Sequence, residues 1–308
     1  RESGMHLSDA TWTDVRDADA DLALLPVGST EQHGPHAPLG TDAFHAETVA
    51  EAGADRHDDT VAVAPTIPVG VAEEHRRFDG TLWVSPDTFR RYVRDVVGSL
   101  AHHGMDRVVV VNGHGGNVPA LGEVTATISR HDDAYAVPFT WFEAVGDRSS
   151  EMGHGGPLET ALLRATHPEL VREDRIDEAR AGASEGWGDW VSSTNLAHDS
   201  AEFTENGVVG DPGVGDAELG DELLERAAGA LDRLLTAVAD RVITDHDFDA
   251  KDYEQADFRK LVLILGILTV HSFPEGVAIG VSFADLDIAG TGGIALFGFG
   301  VPLLAVFM

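Results

Sequence analysis

Residues 107–117 read RVVVVNGHGGN. Four consecutive valines, with no polar residue between them, form the β-branched run of a strand buried on both faces of a parallel sheet. The loop behind them sets three glycines around His114. Glycine lets the backbone turn sharply and come close to a ligand, so His114 projects from the strand end. The loop has no lysine of a nucleotide phosphate loop and no G-x-G-x-x-G spacing of a dinucleotide site. In open α/β sheets, ligands collect in loops beyond the carboxyl ends of the strands. His114 falls in such a loop.

The flanking sequence alternates strand and helix patterns. Leu22–Val27 (LALLPV), Val61–Ala64 and Ala134–Thr140 read as strands. Helices are predicted from Thr41 to Ala52, from Pro86 to His102, from about Pro119, from Leu158 and from Asp216 to Val238. In the second of these, Phe89, Tyr92, Val93, Val96, Val97 and Leu100 recur at helical spacing. Such alternation predicts an α/β fold, with a mostly parallel sheet between two helical layers.

Two further constellations lie in the loops. Glu31-Gln-His33-Gly-Pro-His36 is followed by Asp42. Glu31 and His33 are two residues apart, so an extended segment turns both side chains to one face. Asp42 opens a helix, where the positive N-terminus suits a carboxylate. Two carboxylates and an imidazole on one loop suit a hard or borderline divalent cation. In Gly153-His154-Gly-Gly-Pro-Leu-Glu159-Thr160, His154 sits in a loop and Glu159 in the next helix. Glu159 can then reach a metal while His154 faces substrate.

Composition narrows the partners. The formal charge is −32, with 53 acids against 21 bases. A field of that sign repels nucleic acid and anionic membrane surfaces. Lysine is absent until Lys251 and Lys260, and this acidic, lysine-poor chain has the character of a halophilic cytoplasmic protein. At molar salt the screening length falls to about 3 Å, which makes such self-repulsion tolerable. There is no cysteine, so any metal is held by His, Asp and Glu. Arg1–Gly4, ahead of Met5, reads as a leader or a start-site remnant.

Five stretches together resemble the creatininase family of amidohydrolases: LPVGSTEQHGPHAPLGTDAFHAE (25–47), EEHRRFDGT (73–81), VVVVNGHGGN (108–117), GHGGPLET (153–160) and GVVGDPGVGDAELG (207–220). The resemblance spans nearly all of residues 8–240. It implies a creatininase-like three-layer fold over residues 5–245. It also implies one or two divalent metals (zinc, manganese or iron) on Glu31, His33, Asp42, His114 and Glu159, with Asp42 bridging. His154 would shuttle the proton. His36, Glu74, His75, Arg76, Gly115 and Gly116 are read as substrate-facing or as support for the ligands. A homo-oligomer, a hexamer built from dimers, is implied as well.

Two departures from the family pattern point away from creatinine. Creatinine-hydrolysing members carry a glutamate two residues after the His equivalent to His114; here Gly116 stands there. Those members also set a tryptophan just before the equivalent of His154, and this chain has Ser149, Ser150, Glu151 and Met152. The expected reaction is therefore hydrolysis of a small, cyclic amide by metal-activated water. The alternative within the family is deformylation of a formylamino-pyrimidine nucleotide, whose phosphate would need Arg76 or Arg77.

The chain changes character near residue 246. Residues 246–260 read as a polar linker. From Leu261 to Met308 there is no Lys or Arg, and the carboxylates are Glu275, Asp285 and Asp287. Two segments, 261–284 and 288–308, are long and apolar enough for helical membrane spans. LTVHSFPEGVAIGVSFA (268–284) resembles a metal-binding helix of ZIP-family zinc transporters, with His271 and Glu275 at the metal positions. Such a tail implies a gene fusion or joined fragment and, if genuine, membrane attachment. A membrane metal-handling protein is the reading from a different functional class.

Overall fold

The computed structural model describes residues 4–241, 293–296 and 299–302. The chain divides into two units, Arg1–His246 and Asp247–Met308.

The first unit is built on β1 (Gly4–His6), α1 (Trp12–Ala18), β2 (Leu22–Val27), α2 (Thr41–Arg56), β3 (Val61–Val63), α3 (Pro86–His102), β4 (Arg107–Asn112), α4 (Val118–His131), β5 (Tyr135–Thr140), α5 (Pro157–Thr166), α6 (Ile176–Ala181) and α7 (Ala217–Ala239). A small hairpin, β6 (Trp190–Val191) and β7 (Thr194–Asn195), lies between α6 and α7. The five long-range strands run parallel in the order β1-β3-β2-β4-β5. Gly4, set aside with the leader in the sequence reading, pairs with Val61 and belongs to the sheet.

The uninterrupted valine run has a direct structural reason. Val109 and Val111, with Leu22 and Leu24, pack into a core closed by Leu158, Leu162, Leu223 and Leu231 of α5 and α7. Val108 and Val110, with Ala23 and Leu25, point the other way, into a core closed by Phe89 and Val93 of α3 and Leu121 of α4. Alternate side chains of each strand thus serve opposite cores, and neither face is left for a polar residue. In α3 the buried stripe is Phe89, Val93, Val97 and Leu100. Tyr92, counted with the apolar positions in the sequence, lies off that stripe and is 54% exposed.

Strand order reverses between β2 and β4. The chain leaves β2 for α2 on one face and leaves β4 for α4 on the other. Loops that diverge in this way open a crevice at the carboxyl ends of the two strands. The Glu31–Asp42 loop follows β2, and the His114 loop follows β4.

In the second unit, Gly293–Leu296 (β8) and Phe299–Pro302 (β9) pair antiparallel. This corrects the helical expectation for 288–308 over those residues. Length and apolarity alone do not distinguish a span from a strand, and glycines at 293, 298 and 300 disfavour helix. Among the described residues, no helix is long and apolar enough to cross a membrane. His271 and Glu275 lie outside the described residues.

Candidate metal centre and catalytic pocket

Two helices aim their N-termini at the crevice. Asp42 lies in the first turn of α2 and Glu159 in the first turn of α5. Positive helix ends favour carboxylates there. Glu31 and His33 arrive from the loop after β2, and all four side chains are almost completely buried.

These side chains converge around Asp42. Its Oδ1 lies 3.0 Å from His33 Nε2, and that nitrogen lies 3.7 Å from Glu159 Oε1. Its Oδ2 lies 3.2 Å from His114 Nδ1, which is also 3.1 Å from Glu31 Oε1. One carboxylate therefore faces two donor sets, one with His33 and Glu159, the other with His114 and Glu31. Both Glu31 oxygens and Asp42 Oδ2 are buried without a hydrogen-bond partner. Buried carboxylate oxygens left in that state are costly, and a divalent cation is the kind of partner that would satisfy them. The donor set of carboxylate oxygens and imidazole nitrogens fits zinc or manganese.

The hydrogen bonds behind the imidazoles agree with that fit. The Nδ1–H of His33 donates to the Glu31 carbonyl at 3.1 Å, and the Nε2–H of His114 donates to the Val71 carbonyl at 2.7 Å. Each ring then turns its other nitrogen into the cluster, and that nitrogen offers a lone pair once its proton is displaced, the usual support of a metal-bound histidine.

The charges are strongly coupled. Burial pushes the Glu31 carboxyl up to about 7, against the pull of His114. Burial opposes charge on His33 and His114, yet the facing carboxylates outweigh it and hold both well above the ordinary imidazole range. Burial opposes charge on Asp42 and Glu159 as well, yet His33 and His114 hold Asp42 low, and His33 and His154 hold Glu159 low.

A cavity of about 570 Å³ opens over the cluster, lined by His75, His114, His154, Phe142, Trp187 and Glu74 among others. His154 donates its Nε2–H to the Gln32 carbonyl at 2.6 Å and turns Nδ1 toward the cluster, 3.8 Å from Glu31 Oε1. Burial, reinforced by His33, pushes its pKa down to about 4, so the ring is neutral at pH 7. Gly115 and Gly116 also line the cavity.

Gly116, Arg76, Arg77 and His36 are placed by close neighbours. At Gly116 a Cβ would lie 2.2 Å from the Val71 carbonyl oxygen and 2.8 Å from Glu74 Oε1. Backbone and the Glu74 carboxylate already occupy the space a longer residue would need. Arg76 and Arg77 do not reach the cavity; both bond Asp199 Oδ2, at 3.0 and 3.2 Å. Their neighbour in sequence, His75, turns inward while the arginines turn to the surface. His36 is buried away from the cavity, with Nε2 3.0 Å from Thr160 Oγ1, and ties the loop to α5.

The structure also brings in residues that the sequence reading passed over. Trp187 stands edge-on to His75 and His154, at 5.8 and 5.9 Å between ring centroids. It supplies an aromatic wall from the segment before β6, not from the residues ahead of His154. No local pattern in GASEGWGDW marks that role. Gln32, between two predicted ligands, holds His75 at 2.8 Å. His45, one turn beyond Asp42, is buried with neither ring nitrogen hydrogen-bonded.

The creatininase profile, described as creatinine amidohydrolase, matches residues 8–235. The chain belongs to the creatininase family. Members of this family are metal-dependent hydrolases acting on C–N bonds, creatinine amidohydrolase among them, and membership makes this chain a hydrolase of that class. It is 34% identical to the mycofactocin precursor peptide peptidase of Mycolicibacterium smegmatis over 226 residues, 71% of this chain and 87% of that protein. It is 29% identical to the creatinine amidohydrolase of Pseudomonas putida over 196 residues, 55% of this chain and 75% of that protein. The solved structure "Creatininase Mn" shares the fold, with a TM-score of 0.64 at 23% identity, over 76% of this chain and 98% of that one.

Proposed function

We propose that this creatininase-family hydrolase cleaves the C–N bond of a small amide carrying no negative charge. The observation that carries the reading is the split carboxylate of Asp42, facing two donor sets beneath one cavity. Glu31, Asp42 and His114 would hold one cation; His33, Asp42 and Glu159 would hold the second. A divalent cation there supplies Lewis acidity and brings the pKa of a water molecule toward neutrality. His154 Nδ1 holds the proton released from the attacking water and passes it to the departing nitrogen. Trp187 and Phe142 restrict access of bulk water to the cavity. The Gly115 and Gly116 amides lie where they can support the carbonyl oxygen.

The substrate class follows from charge. Among the described residues, the cavity lining has no lysine or arginine, while Glu74, Glu151 and Glu185 lie along it. A phosphorylated pyrimidine would lack a cationic anchor, so the deformylase reading loses its support. A peptide amide is the second reading, favoured by the 34% identity to the mycofactocin precursor peptide peptidase over most of that protein's length.

The test is hydrolysis of hydantoin, creatinine, formanilide and a tripeptide amide by the full chain, before and after EDTA, with zinc or manganese restored. Turnover that is lost to EDTA and recovered with metal is expected. Metal-independent turnover, or none with any of the four, overturns the reading.

A further inference from the structure

Among the described residues, three groups bring ligand atoms close enough for a metal ion: Glu31–His33–Asp42, His33–His154–Glu159 and Glu31–His75–His154. The hydrogen bonds behind His75 set the third group apart. Gln32 Oε1 accepts from the Gly34 N–H at 2.9 Å, which fixes the orientation of the Gln32 amide. Its Nε2 then donates to the Gly207 carbonyl at 3.1 Å and to His75 Nδ1 at 2.8 Å. The Ser200 hydroxyl lies 3.2 Å from the same nitrogen and gives its own hydrogen to the Glu74 carbonyl at 3.1 Å. The amide cannot reverse without losing both Gly34 and Gly207. His75 Nδ1 is therefore an acceptor, and the ring carries its proton on Nε2. His33, His114 and His154 are the opposite case, each with its outer N–H given to a backbone carbonyl.

We propose that His75 is a catalytic hydrogen-bond donor and not a metal ligand, with Gln32 holding its Nε2–H toward the carbonyl oxygen of the bound amide. Nε2 lies 3.4 Å from Glu31 Oε1, and no hydrogen bond ties up that oxygen. The ring stacks on His154 at 4.4 Å, and both line the cavity. When the water oxygen bonds to the carbonyl carbon, the C=O electron pair moves onto the oxygen that His75 faces. When the C–N bond breaks, that pair returns and the nitrogen takes its proton from His154. His75 keeps its own proton throughout. A fixed donor aimed at a developing oxyanion typically contributes ~10²–10³ in kcat.

The inference rests on the amidohydrolase reading, but its first test does not need turnover. Full-length protein labelled with ¹⁵N-histidine, metal-free and zinc-loaded, is expected to show the Nε2–H tautomer for His75 in both states. A protonated Nδ1, or an Nε2 shifted by zinc, overturns the assignment. In the second test, His75→Leu is expected to keep the wild-type zinc content and KM while losing ~10²–10³ in kcat on whichever of the four amides the wild type cleaves. His75→Gln, which keeps a donor near the Nε2 position, is expected to restore most of that loss. Loss of zinc in His75→Leu, or an unchanged kcat, contradicts the proposal.

Discussion

His33 Nε2 stands 3.0 Å from Asp42 Oδ1, while the second oxygen of that carboxylate faces His114 at 3.2 Å. Asp42 is thus shared between two donor sets, and His33 serves only one. Asp42→Asn is expected to weaken metal binding in both halves of the centre. His33→Ala should empty one half and leave Glu31, Asp42 and His114 to retain metal. Both variants should lose activity. Metal analysis of the purified variants checks the difference: equal retention in the two contradicts the shared role.

His154 has a different part. Its Nε2–H is committed to the Gln32 carbonyl, and its Nδ1 looks into the cavity. His154→Ala is expected to keep the metal content and lose ~10²–10⁴ in kcat, the usual range for a general acid–base group. Metal analysis beside steady-state kinetics checks it. Loss of a full equivalent of metal would make His154 a ligand instead.

Metal uptake should be proton-linked. In the metal-free protein Glu31, pushed up to about 7, keeps a proton where an unfolded glutamate has lost it. His33 and His114 are raised as well, so the stability they give the metal-free fold is full below ~6.5 and is lost as pH rises through their folded values. Asp42 and Glu159 are lowered and act in the other direction, losing their contribution only in acid. Metal must displace the protons on Glu31 and the two histidines. Zinc affinity is therefore expected to rise from pH 6 to 8, by roughly tenfold per unit for each proton displaced. Calorimetry in two buffers of different ionisation enthalpy measures the protons released. An affinity flat over that range contradicts the account.

Gly113 is a structural probe of the same centre. A Cβ at this position would lie 2.1 Å from the Asp42 carbonyl oxygen. Gly113→Ala must push β4 and the start of α2 apart. It is expected to lower both thermal stability and metal affinity, although residue 113 is no ligand. A calorimetric scan with a zinc titration reads both; wild-type values in both would contradict the close approach.

Arg76 and Arg77 test the substrate class. Both are engaged with Asp199 outside the cavity. Arg76→Ala is expected to leave KM for a neutral amide unchanged within about twofold, since exposed ion pairs contribute little. A large rise in KM would bring the arginine, and an anionic substrate, back into the site.

The central strands were legible because each imposes one demand on its residues. Val108 to Val111 had to be apolar throughout, since alternate side chains enter two cores, and that leaves an unmistakable run. The convergence of these donors was legible because Glu31, His33 and Asp42 lie close in sequence, and because His114 lies within a glycine-rich turn and Glu159 follows one. β1 was not legible: three residues pairing on one edge leave no pattern. Trp187 and the partners of His75 were not legible either. Their roles depend on contacts across long sequence separations, such as Gln32 with Gly207 and Ser200 with Glu74. Gln32 was hidden by the alternation rule itself, which sends it to the face opposite Glu31 and His33. The direction of the Arg76 side chain was not legible, because adjacency to His75 says nothing about which way a surface turn points its side chains.

The most direct test of a two-cation hydrolase centre is metal stoichiometry titrated against amide turnover in the full-length wild-type chain. Metal-free protein is reconstituted stepwise with zinc or manganese, and bound metal and hydrolysis are measured on the same samples. The account predicts activity that rises with metal and saturates at about two ions per chain, the number that a split Asp42 carboxylate can bridge. Full turnover in the metal-free protein, or saturation with no bound metal, would contradict it.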